Sequence, residues 1–179
     1  MPDISKYEAI IQDLENGRYA TLGVSVGSQT VTLGTKIAKQ DTGKTPAISA
    51  PPTTTFQQDS LYTIISLDID APFKAWNVLS PIVHWIQTDL RISDDEARKL
   101  ESTDLPVIPW LPAGPPPGAA PHRYIFLLYR QNPESVIPKD LKENGAKVSR
   151  PQRMRYDVDK IVRTLGLGEV VAVNYFVSN

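Results

Sequence analysis

The sequence has 179 residues, a formal net charge of −1, sixteen prolines and no cysteine. This length suits one domain with its own core, so residues 1–179 are treated as a single domain, and the lack of cysteine excludes disulfides, a thiol nucleophile and a thiolate zinc site. The balanced charge argues against a nucleic-acid binder. No apolar run approaches the ~20 residues that span a bilayer, and residues 1–8 are too polar for a signal peptide. We therefore expect a cytoplasmic protein with peripheral membrane contact at most.

The first predicted elements are a helix and a hairpin. Residues 1–17 form an N-terminal helical segment, in which a capping box at Ser5–Glu8 predicts the start of a helix and Gly17 predicts its end. Alternating apolar residues on both sides of a turn at 27–29 then predict a β-hairpin. Residues 39–55 are rich in turn formers and prolines, and we predict a long surface loop there.

The remaining predicted elements are mainly strands. Three strands rich in aliphatic and aromatic residues are predicted over 61–67, 82–88 and 123–129. The first of them is expected to be central, because it is apolar on both faces. A second capping box at 93–96 predicts a short helix through Leu100. The fold class is thus predicted to be mostly β, a sandwich with a few short peripheral helices.

The C-terminal part carries an arginine cluster, a helix and a last strand. Arg150, Arg153 and Arg155 lie in a loop-like stretch and are interpreted as a solvated connector. Asp157 is predicted to cap the helix that follows it, and a β-branched strand over 169–177 closes the chain.

Two turn-rich segments lie near the two histidines of the sequence. Asp68-Ile69-Asp70-Ala71-Pro72 precedes His84, and Gly114-Pro115-Pro116-Pro117-Gly118 leads into His122-Arg123-Tyr124. The first segment leaves two carboxylates at a sheet edge, and the second combines a stiff backbone with approachable glycine amides, which suits an anion. Histidine and tyrosine can donate hydrogen bonds to the same anion. We therefore predict one shared anion pocket.

These two blocks resemble the signatures of the phosphatidylethanolamine-binding proteins, the family that includes the Raf kinase inhibitor proteins. The first block is similar to the family's Asp-Pro-Asp-Ala-Pro, with Ile69 in place of the first proline. The second resembles Gly-Pro-Pro-x-Gly followed by His-Arg-Tyr. The order and separation of the blocks match, and the similarity runs through roughly residues 20 to 178.

The resemblance implies a β-sandwich of the family type, with a pocket for phosphate or a phospholipid headgroup and no cofactor. By position, the ligand-binding residues would be Asp68, Asp70, Ala71, Pro72, His84, Gly114, Pro116, His122 and Tyr124. The family also implies a cis bond between Ala71 and Pro72. Ile82 stands where many animal members have a pocket tryptophan. Because the sequence stops at Asn179, directly after the last strand, the resemblance is to the fungal carboxypeptidase-inhibitor branch.

Three alternatives stay open beside this interpretation. The segment Gly23-Val24-Ser25-Val26-Gly27 fits the nucleophile elbow of a hydrolase, although a hairpin follows it and not a helix. His84, His122 and a carboxylate would suit a metal-dependent enzyme. A pure protein-interaction role would place the contact in residues 1–14. The hypothesis carried forward is a non-catalytic anion-binding protein that inhibits a serine carboxypeptidase or regulates a signalling partner.

Overall fold

The computed structural model describes residues 3–53, 56–145 and 147–179. Its strands are β1 (Ala20–Thr21), β2 (Gly23–Val26), β3 (Gln29–Thr30), β4 (Thr35–Lys36), β5 (Ala47–Ser49), β6 (Leu61–Asp68), β7 (Ile82–Ile92), β8 (Leu100–Glu101), β9 (His122–Gln131) and β10 (Leu167–Ser178). Its helices are α1 (Ser5–Glu15), α2 (Lys139–Gly145), α3 (Arg150–Arg153) and α4 (Val158–Thr164), with a 3-10 turn at Lys39–Gly43. The predicted mostly-β fold with short helices is confirmed.

The strands form a large sheet and a small sheet. The large sheet has the order β1-β10-β9-β6-β7-β8, with β4 paired to β10, and the small sheet has the order β3-β2-β5. Strand β6 is antiparallel to β7 on one side and to β9 on the other. The central position predicted for it is confirmed, because both of its faces are buried between other layers.

Alternation along the central strands divides the core into two halves. On β6, Tyr62 and Ile64 pack toward the small sheet, whereas Ile65 and Leu67 pack with the helices on the other face. Because successive side chains of a strand point to opposite faces, a fully apolar strand can serve both halves. The helical half is completed by α1 and α4, whose buried residues include Leu14.

Two predicted helix starts differ from the structure. The N-cap of α1 is Ile4, and no capping side chain of Ser5 is present; the Ser5 amide donates to Oδ1 of Asp3 at 2.9 Å. Gly17, with φ of 73°, ends this helix as predicted. The helix predicted at 93–100 is wrong, because β7 continues and pairs with β8 through a hairpin loop. The Ala50 amide also donates to the Arg98 carbonyl at 2.9 Å, so pairing with a segment distant in sequence overrides the local capping pattern.

The long loop predicted at 39–55 is also wrong in part. It contains the 3-10 turn and strand β5, and it buries Thr42 and Ile48; residues 54 and 55 of this prediction lie outside the described residues. Helices α2 and α3 were not predicted. Helix α4 is confirmed: the Asp157 carboxylate accepts from the Lys160 amide at 2.8 Å. In the described ranges, no helix has the length and apolarity needed to cross a membrane.

Candidate functional site

The two histidines meet at the end of the large sheet where β6 finishes. Asp68, the last residue of β6, lies opposite Ile82 of β7 and Tyr124 of β9. A cavity of about 590 Å³ opens at this edge. Its described lining comprises Lys39, Gln40, Asp68, Ala71, Pro72, Leu79, Ile82, His84, Leu111, Pro112, Ala113, Gly114, Pro116, His122, Arg150 and Met154.

His122 is held by two acceptors, one on each ring nitrogen. Nδ1 is 2.8 Å from Oδ2 of Asp68, and Nε2 is 3.1 Å from the carbonyl oxygen of Pro72. A carboxylate and a carbonyl can only accept, so this arrangement is fully satisfied when both nitrogens carry a proton. Burial disfavours the charged ring, but the hydrogen bond and charge of Asp68 outweigh it and raise the pKa of His122. His122 is therefore best described as an imidazolium paired with Asp68.

His84 has the opposite protonation preference. Burial lowers its pKa, and the nearby charges of Arg153 and His122 add to this, against the attraction of Asp68. Its Nδ1 lies 2.6 Å from the carbonyl oxygen of Leu111, and the Leu111 amide donates back to the His84 carbonyl at 2.8 Å. A neutral ring that donates from Nδ1 keeps an acceptor lone pair on Nε2. The cavity thus combines one histidine whose pKa is lowered with another whose pKa is raised.

Tyr124 lies behind the cavity wall. Its ring meets the edge of His84 at 5.0 Å and stacks on Phe176 at 4.9 Å between centroids. The Gly114 amide donates to its hydroxyl at 3.4 Å. Burial, followed by the charge of Asp68, raises the pKa of Tyr124, so it stays a neutral phenol. The predicted contact of Tyr124 with the cavity is therefore made through His84 and Gly114, since Tyr124 is not among the lining residues.

Asp70, which was predicted to bind the ligand, is not among the described residues that line the cavity. Its buried carboxylate accepts from the Arg123 guanidinium at 2.8 Å and 2.7 Å and from the Arg123 amide at 2.8 Å. Arg123 in turn donates to Glu8 of α1 at 2.9 Å. The Asp70 amide donates to Oδ1 of Asp68 at 2.9 Å. Asp70 therefore supports the site from behind, by joining Asp68 to the helix.

The two walls of the cavity are fixed by different backbone devices. The Ala71–Pro72 bond is cis, as the family resemblance implied. The Ala71 amide donates to Oγ of Ser80 at 2.8 Å, which closes the loop between β6 and β7. In the loop that supplies Gly114 and Pro116 to the opposite wall, Gly118 has φ of 77°, a conformation that favours glycine. The Gly114 amide is already bonded to Tyr124, so the predicted free glycine amide is not found at that position.

The cationic rim of the cavity was not identified from the sequence. Lys39, from the 3-10 turn, and Arg150, from α3, both line the cavity. Arg153 is buried and bonded to backbone carbonyls, and Arg155 donates to the Val78 carbonyl at 2.8 Å. The interpretation of the arginine cluster as a solvated connector is therefore wrong for Arg153, whereas Arg150 and Arg155 are exposed. The cluster itself was the available signal, since three arginines close together around a turn are also typical of an anion site.

Two other features were weighed as alternative sites. A larger cleft of about 760 Å³ lies at the other end of β6, but neither histidine lines it, and it mixes acidic and basic side chains. Ser25 lies in β2 and is followed by the antiparallel strand β3, not by the helix that a nucleophile elbow needs. Within the described ranges, no three His, Asp or Glu side chains are grouped closely enough to hold a metal ion.

The sequence and the fold are similar to those of known proteins. The sequence profile of the phosphatidylethanolamine-binding proteins matches residues 27–176. The chain belongs to this family. Among curated family relatives, it is 30% identical over 119 residues to "Phomoidride biosynthesis cluster protein N" of Talaromyces stipitatus, across 65% of this chain and 58% of the relative. It is 31% identical over 87 residues to the carboxypeptidase Y inhibitor of Saccharomyces cerevisiae, across 42% of this chain and 40% of the relative.

Solved structures of phosphatidylethanolamine-binding proteins share the fold. The carboxypeptidase Y inhibitor, crystallised with its cognate proteinase, superposes with a TM-score of 0.67 at 24% identity, over 97% of this chain and 92% of that chain. A family member from Plasmodium vivax gives a TM-score of 0.62 at 15% identity, over 94% of this chain and 96% of that chain. The matched part spans about half the length of the curated relatives. At these identities the structures establish the fold alone.

Proposed function

We propose that the chain is a non-catalytic binding protein whose cavity takes an anion: phosphate, a phosphorylated headgroup or a carboxylate. The observation that carries this proposal is the charge around the cavity. Lys39, Arg150 and His122 contribute positive charge, and Asp68, the carboxylate among the described lining residues, is already bonded to His122. Positive charge left without an internal partner at a concave site attracts an anion.

Sulfate is a suitable first probe, because its charge does not change between pH 6 and pH 8. In the free protein the pKa of His84 is lowered, so the ring is neutral, and an anion beside it would favour the protonated ring. Binding would then take up a proton, and the sulfate affinity is expected to rise as the pH falls, by up to about tenfold per pH unit for one linked proton. Loss of the His122 proton above its raised pKa acts in the same direction.

The measurement is isothermal titration calorimetry of sulfate at several pH values. His84→Gln is expected to remove most of the dependence between pH 6 and pH 7, and Arg150→Gln to weaken binding at every pH by about tenfold. Arg163→Gln makes the same chemical change on the exposed part of α4 and serves as the control. Sulfate binding that changes neither with pH nor in the His84→Gln and Arg150→Gln variants would disprove the anion site.

We further propose that the protein inhibits a serine carboxypeptidase, with the segment before α1 as the contact element. Support comes from the similarity to the yeast carboxypeptidase Y inhibitor. Residues 1 and 2 lie outside the described residues. Ile4 packs in the core beside α1 with 7% exposure, so a deletion of residues 1–5 would remove a core side chain. Deletion of residues 1–3 keeps Ile4 and is the cleaner variant.

Tight inhibition of carboxypeptidase Y is expected for the full chain, and deletion of residues 1–3 is expected to weaken it at least about a hundredfold. The physical reason is that a short contact segment carries most of the binding energy at many interfaces. His122→Ala tests independence from the cavity and is expected to inhibit as the parent does. Inhibition retained by the deletion variant would exclude the N-terminal contact, and no inhibition by the parent would leave a regulatory role in signalling as the remaining proposal.

A further inference from the structure

Arg153 is a buried guanidinium behind the cavity. It lies at the end of α3, with 6% of its surface exposed. Its Nη1 donates to the carbonyl oxygens of Pro109 at 2.9 Å, His84 at 3.2 Å and Val83 at 3.3 Å. Across the described ranges, no carboxylate forms an ion pair with it. A buried charge without a counter-charge is expensive, so its retention at this place needs an explanation.

Its three carbonyl partners belong to the two segments that orient His84. Val83 and His84 lie on β7, and Pro109 lies two residues before Leu111, whose carbonyl accepts from the His84 ring. The Arg153 guanidinium therefore binds the backbone on both sides of the hydrogen bond between the His84 ring and the Leu111 carbonyl. The partners of its Nη1 and Nε are backbone oxygens, which do not neutralise its charge as a carboxylate would.

We propose that Arg153 is a positioning residue of the anion site: its bonds tie β7 to the segment that carries Leu111 and so orient His84, and its charge, which is paired with backbone oxygens, adds to the attraction of an anion. This inference rests on the proposed anion function. Among the described residues, the charged and titratable groups that contact or act on His84 are Asp68 on β6, His122 and Tyr124 on β9, and Arg153 on α3. Of these, Asp68 alone attracts a proton to His84, while Arg153 and His122 repel one. Lys39 and Arg150 line the same cavity.

The decisive readout is the titration of His84 followed by NMR in a buffer without sulfate or phosphate. The sequence has two histidines, so His122→Asn assigns both signals. In the parent protein, His84 is expected to titrate below its ordinary value and His122 above it. Arg153→Gln removes the charge and keeps a donor, and the His84 titration is expected to move to higher pH. Arg153→Lys keeps the charge and is expected to leave it low.

Sulfate affinity near pH 6.5 provides the second readout. Arg153→Gln is expected to weaken it by about tenfold, and Arg153→Lys by much less. Arg163→Gln repeats the chemical change at an exposed position and should alter neither quantity. A purely structural arginine would show similar losses for the glutamine and lysine variants without a movement of His84.

The possible failures are distinguishable. An unchanged His84 titration in Arg153→Gln, in a protein that binds sulfate, would overturn the role of Arg153 and leave the anion site standing. A shifted His84 in a protein that binds no sulfate would refute the anion function instead. If neither arginine variant folds, the titration of His84 in the parent protein still tests the proposal. A His84 pKa above the ordinary value for histidine would contradict it.

Discussion

Replacement of Arg123 by methionine is expected to lower the free energy of unfolding by about 3–5 kcal/mol. The reason is the carboxylate that the substitution leaves behind. The Asp70 side chain has no exposed surface, and two guanidinium hydrogen bonds from Arg123 compensate its charge. Breaking one partner of a buried ion pair leaves an uncompensated charge in a medium of low polarity. Urea denaturation followed by circular dichroism measures the change.

Glu8→Gln is the matched control, because Glu8 holds the exposed end of the same network. Half of its side chain is exposed, and it meets the same guanidinium at 2.9 Å. Exposed ion pairs contribute little, so the loss is expected to stay below about 1 kcal/mol. Equal losses for the two variants would show that the Arg123–Asp70 pair does not behave as a buried one.

Phe176→Ala is expected to cost about 3–5 kcal/mol through the cavity that it creates. Phe176 is completely buried between the sheets and lies opposite Tyr124 in the β9–β10 register. It stacks on the Tyr124 ring with 14° between the planes and also meets Phe126 at 5.9 Å. Aromatic pairs of this kind add about 0.5–1.5 kcal/mol beyond the area that they bury.

Phe73→Ala is the control for this second prediction. Phe73 has 41% of its surface exposed, in the turn beside Pro72, so its replacement is expected to change stability by about 0.5 kcal/mol at most. The measurement is urea denaturation of both variants and of the parent protein, with their midpoints compared. A loss below about 1 kcal/mol for Phe176→Ala would mean that neighbouring core side chains move to fill the space left by the ring.

The parts of the site that could be predicted are those in which local sequence and strand pairing agree. Asp68 and His122 lie on neighbouring strands that are strongly apolar, so their meeting follows from the pairing of β6 with β9. Asp70 could not be separated from Asp68 in the same way. Its carboxylate points to Arg123 because the chain has left the strand, and no spacing rule describes that turn.

The features missed by sequence depend on contacts between distant segments. Arg153 is buried because carbonyls from β7 and from Pro109 satisfy it, and arginine in a short polar stretch otherwise indicates a surface. The helix predicted at 93–100 fails for a similar reason. Ser49 pairs with Lys99 and the Ala50 amide donates to the Arg98 carbonyl at 2.9 Å, so a segment far earlier in the sequence pairs with these residues. Local capping residues are compatible with both outcomes, and the strand partner decides between them.

The bond between His122 and Asp68 also discriminates between registers that the hydrophobic pattern cannot separate. A slip of β9 by two residues along β6 would leave every apolar side chain on its proper face. It would also move His122 by ~7 Å, since a strand advances about 3.3 Å per residue. The misaligned sheet would bury a histidine and a carboxylate without partners. The polar pair at the end of the sheet therefore favours the observed register over a two-residue slip, a choice that the apolar side chains leave open.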